Sequence, residues 1–93
     1  MTPVGLWRDE DGDMHEIRRR PYGYLVRCFT EDTEGVEFPV ENVRWRNDRL
    51  KWTLVLMDET RHYETVRIEL HRMVVHWKST EKDREEVFTR VSG

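Results

Sequence analysis

Histidine and cysteine side chains offer the most chemistry in this sequence. They are His15, His62, His71, His76 and Cys28. Zinc sites generally use close pairs such as Cys-x2-Cys or His-x3-His, and the sequence contains no such pair. The sequence therefore predicts no metal site and no cofactor. The histidines are expected to be solvent-facing polar side chains. Cys28, which stands at an apolar position of a strand, is expected to be a small core residue.

Acid/base catalysis is a more distant alternative. His76 beside Glu69 could transfer protons, and either His71 or His76 could act from within a barrel. One such pair without a nucleophile has little specificity, and the sequence lacks a glycine-rich phosphate loop, a nucleophile elbow and a Ser-His-Asp order. We therefore expect a protein that is not an enzyme.

A basic hairpin is the segment that most resembles a nucleic-acid site. Residues 43–52 interleave Arg44, Arg46, Arg49 and Lys51 with two tryptophans, Trp45 and Trp52. Such a mixture suits phosphates and stacked bases. Strand alternation, however, places both indoles on the face opposite Arg44, Arg46 and Lys51, as core tryptophans behind solvated cations. The net charge of -3 also opposes binding to a polyanion, so no nucleic-acid partner is expected.

Short runs of alternating apolar residues recur every eight to twelve positions, with turn residues between them. The clearest run places Leu50, Trp52, Leu54 and Leu56 on one face. This spacing is typical of antiparallel all-β folds. Asn47-Asp48-Arg49 predicts a hairpin turn, and Pro39 predicts a sheet edge or a bulge. We expect an up-and-down meander of about eight strands.

Two places in the pattern are irregular. The alternation Val66, Ile68, Leu70 changes phase before Met73, Val75 and Trp77, which predicts a turn or bulge at His71-Arg72. Residues 80–86 are highly charged and fit either a short helix capped by Thr80 or a solvated loop, with Val87 to Val91 as the closing strand.

The chain of 93 residues suits one domain, residues 1–93, with a thin hydrophobic core. A single cysteine excludes an internal disulfide. The sequence has no apolar N-terminal run of the kind that is typical of a signal peptide, and no apolar stretch has the length of a membrane span. A soluble, cytoplasmic protein without membrane contact is expected. Pro39 and the apolar Val55 and Met57 favour self-association as a homodimer.

The two ends of the sequence resemble those of the lipocalin-like, or calycin, barrels. That family carries a Gly-X-Trp on its first strand, and an arginine of the last strand crosses over the tryptophan. Here Gly5-Leu6-Trp7 begins the chain, and Phe88-Thr89-Arg90-Val91 lies near its end. The resemblance implies a small closed barrel in which Trp7 and Arg90 are structural partners, and a small apolar ligand in the barrel mouth.

The expected interior decides between two functions. The side chains predicted to point into the barrel are those of Trp7, Ile17, Phe38, Trp45, Trp52, Leu54, Leu56, Val66, Ile68, Leu70, Val75, Trp77 and Phe88. This bulk fills most of an eight-stranded barrel and leaves at most a small cavity near one mouth, lined by Trp52, Ile68, Val75 and Trp77. A ligand-binding protein is the first hypothesis. A protein-interaction module or subunit with a solid core and no ligand is the alternative.

Overall fold

The protein is an all-β barrel of nine strands in one antiparallel sheet, in a computed structural model that describes residues 1–32 and 35–93. The strands are β1 (Gly5–Arg8), β2 (Met14–Arg20), β3 (Gly23–Phe29), β4 (Glu37–Phe38), β5 (Val40–Arg46), β6 (Arg49–Val55), β7 (Thr60–Ile68), β8 (Arg72–Lys78) and β9 (Asp83–Ser92). The sheet order is β4-β3-β2-β1-β9-β8-β7-β6-β5. The predicted meander is confirmed, and the pairing of β1 with β9 joins the two ends of the chain.

The barrel closes at Pro39, which divides one extended segment into β4 and β5. Phe38 pairs with Cys28 on β3, whereas Val40 pairs with Leu54 on β6. Two residues separated only by Pro39 thus belong to the two opposite edge strands of the sheet. Because Pro39 has no N–H to donate, it fits at this break, where its carbonyl accepts the Val55 N–H. The division yields nine strands instead of about eight, and it leaves a seam between β3 and β5 without ladder hydrogen bonds.

The β5–β6 connection is a two-residue hairpin. Asn47 and Asp48 have φ angles of 54° and 61°, as a type I′ turn requires, and asparagine and aspartate tolerate this conformation well. Trp45 pairs with Leu50, and Arg44 pairs with Lys51. The register places the tryptophan on the inner side of the sheet and the two cations on the outer side.

Aromatic side chains fill the middle of the barrel. The buried cluster consists of Trp7, Ile17, Val26, Cys28, Leu50, Trp52, Leu54, Tyr63, Met73, Val75, Trp77 and Phe88. Phe38, Leu56 and Ile68 are partly buried against it. The expectation of a buried side chain is wrong for Trp45, Val66 and Leu70, which are 40%, 40% and 58% exposed. Trp45 lies beside a turn of one barrel end and Leu70 within another, beyond the reach of the core.

A bulge explains the error on β7. The register with β8 shifts between Thr65 and Arg67, so Val66 leaves the inner face, and Tyr63 and Thr65 are buried there in its place. The Thr65 hydroxyl accepts the Leu50 N–H at 2.9 Å, which satisfies a polar group inside the barrel. The predicted phase change is real, but it arises from this bulge together with a turn closed by the Glu69 N–H to the Arg72 carbonyl.

For residues 83–86, neither the expected short helix nor the expected solvated loop is correct. Asp83–Ser92 forms β9, and Glu86 is buried on its inner side. The Trp77 indole N–H donates to the Glu86 carboxylate, so a charged residue is tolerated in the core because it has a buried donor. Within the described residues, no helix has the length and apolar character needed to cross a membrane.

Candidate functional site

Arg90 lies over the indole of Trp7 where β1 meets β9. Its guanidinium carbon is 4.2 Å from the ring centroid. It donates to the carbonyl of Val4 and to the carbonyl of Leu70, each at 2.6 Å. Gly5 leaves room for it, because a Cβ there would lie 2.5 Å from Arg90 Nη1. These contacts tie the first strand, the last strand and the β7–β8 turn together.

The four residues predicted to line a ligand cavity do not form one wall. Trp52, Val75 and Trp77 are fully buried in the aromatic core. Trp52 stacks on Tyr63 with ring centroids 5.2 Å apart, and Tyr63 in turn contacts Trp77 at 6.0 Å. Ile68 is only partly buried and lines a cleft of about 280 Å³ at the barrel end, with Trp45 and Val66. Trp52 and Trp77 are therefore joined through Tyr63, whereas Ile68 packs at the margin of this cluster and also lines the cleft.

A polar relay of Asp9, His15 and Cys28 lies inside the barrel, and sequence reasoning missed it. His15 is buried, which corrects the expectation of a solvent-facing side chain. Its Nε2 lies 2.9 Å from Asp9 Oδ2, and its Nδ1 lies 3.1 Å from the Cys28 sulfur. One ring nitrogen thus faces a carboxylate and the other faces a thiol, so both have a hydrogen-bonding partner. The ring also packs on Phe88 at 4.5 Å.

The relay has the order of a nucleophile, a base and an orienting acid, but its thiol is not activated. Burial, followed by the negative charges of Asp9 and Asp13, raises the pKa of Cys28 far above its ordinary value. A thiol is nucleophilic as thiolate, and Cys28 is both protonated and enclosed. The expected assignment of Cys28 to the core is confirmed. The relay holds the β1–β2 loop onto β3.

Asp9 is the hub of that loop. Burial by itself raises the pKa of its carboxyl, but the hydrogen bond and charge of His15, together with the N–H groups of Asp13 and Asp11, bring the pKa below its ordinary value. Asp9 Oδ1 accepts both backbone N–H groups at 2.9 Å. The carboxylate is therefore ionised and fully hydrogen-bonded in the folded protein.

Carboxylates of Asp9, Asp11 and Glu86 come within 4.8 Å of one another, and oxygen clusters of this kind are the ligands that hard cations prefer. The buried oxygens are already engaged, however. Asp9 Oδ2 bonds His15, and Asp9 Oδ1 accepts two backbone N–H groups. Glu86 accepts from the Glu10 N–H and from Trp77. We interpret the cluster as a clamp between the loop and β9.

Of the remaining histidines, His62 and His76 line the same cleft of about 280 Å³, whereas His71 stands apart from them. His71 is exposed in the β7–β8 turn, at the barrel end opposite the relay. His76 lies between Glu64 and Glu85 in the sheet register and contacts Asp83, so it does not face Glu69. Glu69 instead pairs with Arg72 at 2.5 Å. Acid/base chemistry by His76 with Glu69 has no geometric support.

The seam between β3 and β5 contains a second cleft, of about 450 Å³. Its floor is apolar, formed by Val26, Phe38 and Val40, and its rim carries Arg27 and Glu37. These two charges pair at 2.6 Å. Further along the seam, Tyr24 and Trp45 touch with ring centroids 5.4 Å apart. Val55 is half-buried and Met57 is exposed beside the β6–β7 turn, where the expected homodimer contact stays a prediction.

The two ends of the barrel carry opposite charge. In an up-and-down meander, every second turn lies at the same end. The end that holds the Pro21–Tyr22, Asn47–Asp48 and Glu69–His71 turns is called the basic end below. Its cations, all exposed, are Arg19, Arg20, Arg46, Arg49, Arg67 and Arg72; its acids are Asp48 and Glu69.

The opposite end, called the acidic end below, holds the β1–β2, β3–β4, β6–β7 and β8–β9 connections. Its acids in the described residues are Asp9, Glu10, Asp11, Asp13, Glu31, Asp32, Asp58, Glu59, Glu81 and Asp83; its nearby cations include Arg8, Arg61, Lys82 and Arg84. The two halves of the sequence conceal this separation, because each half supplies turns to both ends.

Searches against protein-family models, curated proteins and solved structures found no match for this chain.

Proposed function

We propose that the protein is a non-enzymatic interaction module that binds a negatively charged partner through its basic end. The observation that carries the proposal is the concentration of exposed arginines at one end of a molecule whose net charge is -3. A field of one sign on one face attracts and orients a partner of opposite charge. The architecture that presents this face is a small barrel of the lipocalin-like type, closed by Trp7 and Arg90.

Unpaired arginines strengthen this proposal. Among the described residues, no carboxylate lies within 4.0 Å of the guanidinium of Arg20 or Arg46. Arg19 donates to the Tyr24 hydroxyl at 3.3 Å, a neutral partner. The other three arginines of this end are ion-paired: Arg49 lies 3.4 Å from Glu64, and Arg67 and Arg72 both pair with Glu69. Arg19, Arg20 and Arg46 therefore keep full positive charge available for a partner.

The solid core favours a partner outside the barrel over a ligand inside it. Trp7, Trp52 and Trp77 are each at most 1% exposed. The rings of His15, Trp52, Tyr63 and Phe88 contact one another at 4.5 to 6.5 Å. Pockets that hold a ligand are usually largely formed before it binds. An interior filled in this way leaves the surface to carry the function.

Small-ligand binding is the second candidate, favoured by the seam cleft. Its volume of about 450 Å³ is within the range of ligand pockets, and the apolar floor of Val26, Phe38 and Val40 suits an apolar molecule. A thermal-shift screen of fatty acids, retinoids and aromatic metabolites tests it. The interaction-module proposal expects no rise in melting temperature. A rise that is lost in Phe38→Ala would favour the ligand-binding function.

Retention on heparin-agarose tests the interaction module directly. An acidic protein with evenly spread charge flows through an anionic matrix, whereas a segregated basic end holds it at low salt. We expect the wild-type protein to be retained at 20 mM salt and released as salt rises. The double variant Arg20→Glu/Arg46→Glu should flow through. Flow-through of the wild type at low salt contradicts the proposal.

Lys82→Glu is the matched control. It reverses one charge at the acidic end, on an exposed side chain of the β8–β9 turn. Because this residue faces away from the basic end, its variant should be retained almost like the wild type. Equal losses in Lys82→Glu and in the arginine variant would show that net charge, and not its placement, controls binding.

A further inference from the structure

We propose that the partner of the basic end is the surface of an anionic lipid bilayer. This rests on the proposed function and names its partner. The observation behind it is that exposed apolar side chains and free arginines occur together at the basic end. At the acidic end the exposed Met57 and Val36 lie among carboxylates instead. Sequence reasoning expected no membrane contact, because it considered only spans and signal segments.

Exposed apolar side chains mark three separate turns of the basic end. Tyr22, at the tip of the β2–β3 turn, is fully exposed, and Leu70, in the β7–β8 turn, is 58% exposed. Trp45 stands beside the β5–β6 turn and shares a cleft with Val66. Water-exposed apolar groups at tips carry no folding benefit, and clusters of them commonly mark interaction sites. All three turns belong to the same end of the barrel.

The arginines surround these tips. Arg20 precedes Tyr22 by two residues, and Arg46 follows Trp45 directly. Arginine and tryptophan or tyrosine are the side chains that suit the boundary between lipid headgroups and acyl chains, because each combines an apolar body with a polar tip. At an anionic membrane each basic residue adds to the attraction. The same surface repels the acidic end, so the barrel is oriented with the turns of its basic end toward the lipid.

A bilayer explains these residues better than a nucleic acid does. Stacking on bases needs free aromatic faces, and at this end the fully exposed Tyr22 offers one. The Trp45 ring is already packed on Tyr24, whose ring also lies beneath the Arg19 guanidinium. Leu70 and Val66 are aliphatic and have no ring to stack. The cytoplasmic leaflet is the anionic one, which makes phosphatidylserine the lipid to test.

Vesicle co-sedimentation tests the proposal. We expect the protein to sediment with vesicles of phosphatidylcholine containing 30% phosphatidylserine at low salt, and to remain in solution with phosphatidylcholine alone. Arg20→Glu/Arg46→Glu should weaken the partition coefficient at least about tenfold. Tyr22→Ser/Leu70→Ser keeps the charge and should also weaken it several-fold, which separates insertion of apolar tips from electrostatic attraction alone.

Controls assign each outcome. Lys82→Glu should bind vesicles like the wild type, and unchanged thermal midpoints would show that the exposed variants fold. Retention on heparin without binding to phosphatidylserine vesicles overturns the lipid partner while the interaction module stands. If the protein is neither retained on heparin nor bound to vesicles, both the interaction module and the lipid partner are contradicted. Tighter binding of labelled single-stranded DNA than of vesicles, or unchanged vesicle binding in the Tyr22/Leu70 variant, also overturns the lipid partner.

Discussion

Trp7 and Arg90 pair directly across β1 and β9, and the arginine covers the indole with its guanidinium carbon 4.2 Å from the ring centroid. The indole N–H donates to the Pro3 carbonyl at 2.8 Å. One side chain thus plugs the barrel while the other bonds the carbonyls around it. The barrel is closed at this point by side chains that stand more than eighty positions apart in the sequence.

Trp7→Ala should lower the free energy of unfolding by about 3–5 kcal/mol, because it removes a large buried ring and leaves a cavity. Arg90→Lys should cost about 2 kcal/mol, since a lysine ammonium cannot reach both carbonyls in the same planar arrangement. Urea unfolding measures both. Arg67→Lys, on an exposed side chain, is the control, and near-wild-type stability of Trp7→Ala contradicts the closing role.

Asp9→Asn should destabilise the fold by about 2–3 kcal/mol at pH 7, because the amide presents a donor to the imidazole N–H and replaces a charged hydrogen bond. The folded-state pKa of Asp9 is depressed. Its stabilising effect is therefore complete above the ordinary aspartate pKa and is lost as the pH falls through the folded value. Urea titrations should show the two proteins converging below about pH 4. A difference that does not depend on pH contradicts an ionised Asp9.

Asp13→Asn should have the opposite sign. Burial, followed by the charge of Asp9, raises the pKa of Asp13 above its ordinary value, so the ionised form is disfavoured in the folded state. This cost is present at neutral pH and disappears once the pH falls below the unfolded-state pKa. The variant should melt at a higher temperature than the wild type at pH 7 and at the same temperature near pH 3. A lower melting temperature at pH 7 would sink the assignment.

Cys28 should resist thiol reagents in the folded protein. Burial raises its pKa and encloses the sulfur, so labelling with a maleimide should wait for unfolding. We expect complete labelling in urea and little labelling in buffer over the same time. Lys82→Cys/Cys28→Ser supplies an exposed thiol as the positive control. Rapid labelling of Cys28 without denaturant contradicts the buried relay.

The sequence predicts the fold through its period-two pattern. Leu50, Trp52 and Leu54 alternate on a strand whose turn residues, Asn47 and Asp48, also fix the register of the hairpin. An alternating pattern of this kind predicts the buried face correctly, because one face of the sheet must be buried. The fold class therefore follows from residues that lie close together in the chain.

The errors arise where the inner face depends on distant contacts. At Val66 a bulge reverses the alternation, and Thr65 is buried because its hydroxyl has the Leu50 N–H to bond. The sequence predicts that Glu86 is solvated, whereas in the fold it is buried because the Trp77 indole N–H donates to it. His15 has no local signal either, since its partners Asp9 and Cys28 reach it only through the fold.

The charged ends could have been predicted. Once a meander is inferred, alternate turns share an end, so the arginines beside Tyr22 and Asn47 can be grouped from the sequence alone. Sorting charge along the sequence instead conceals them, because Arg20 and Asp11 fall in the same half. Whether the basic end binds an anionic partner depends on chemistry outside the chain, which composition cannot supply.

The most direct measurement of the central claim is a ¹⁵N NMR titration with a short heparin-derived oligosaccharide as the anionic probe. The proposal predicts shifts that are saturable, weakened by salt and confined to the basic end: the amides of Arg20, Tyr22 and Leu70 and the indole N–H of Trp45. Amides of Asp11, Glu59 and Lys82 at the acidic end should stay in place. Shifts centred on the seam cleft at Phe38, or the absence of shifts at low salt, would contradict the assignment of the basic end as the binding surface.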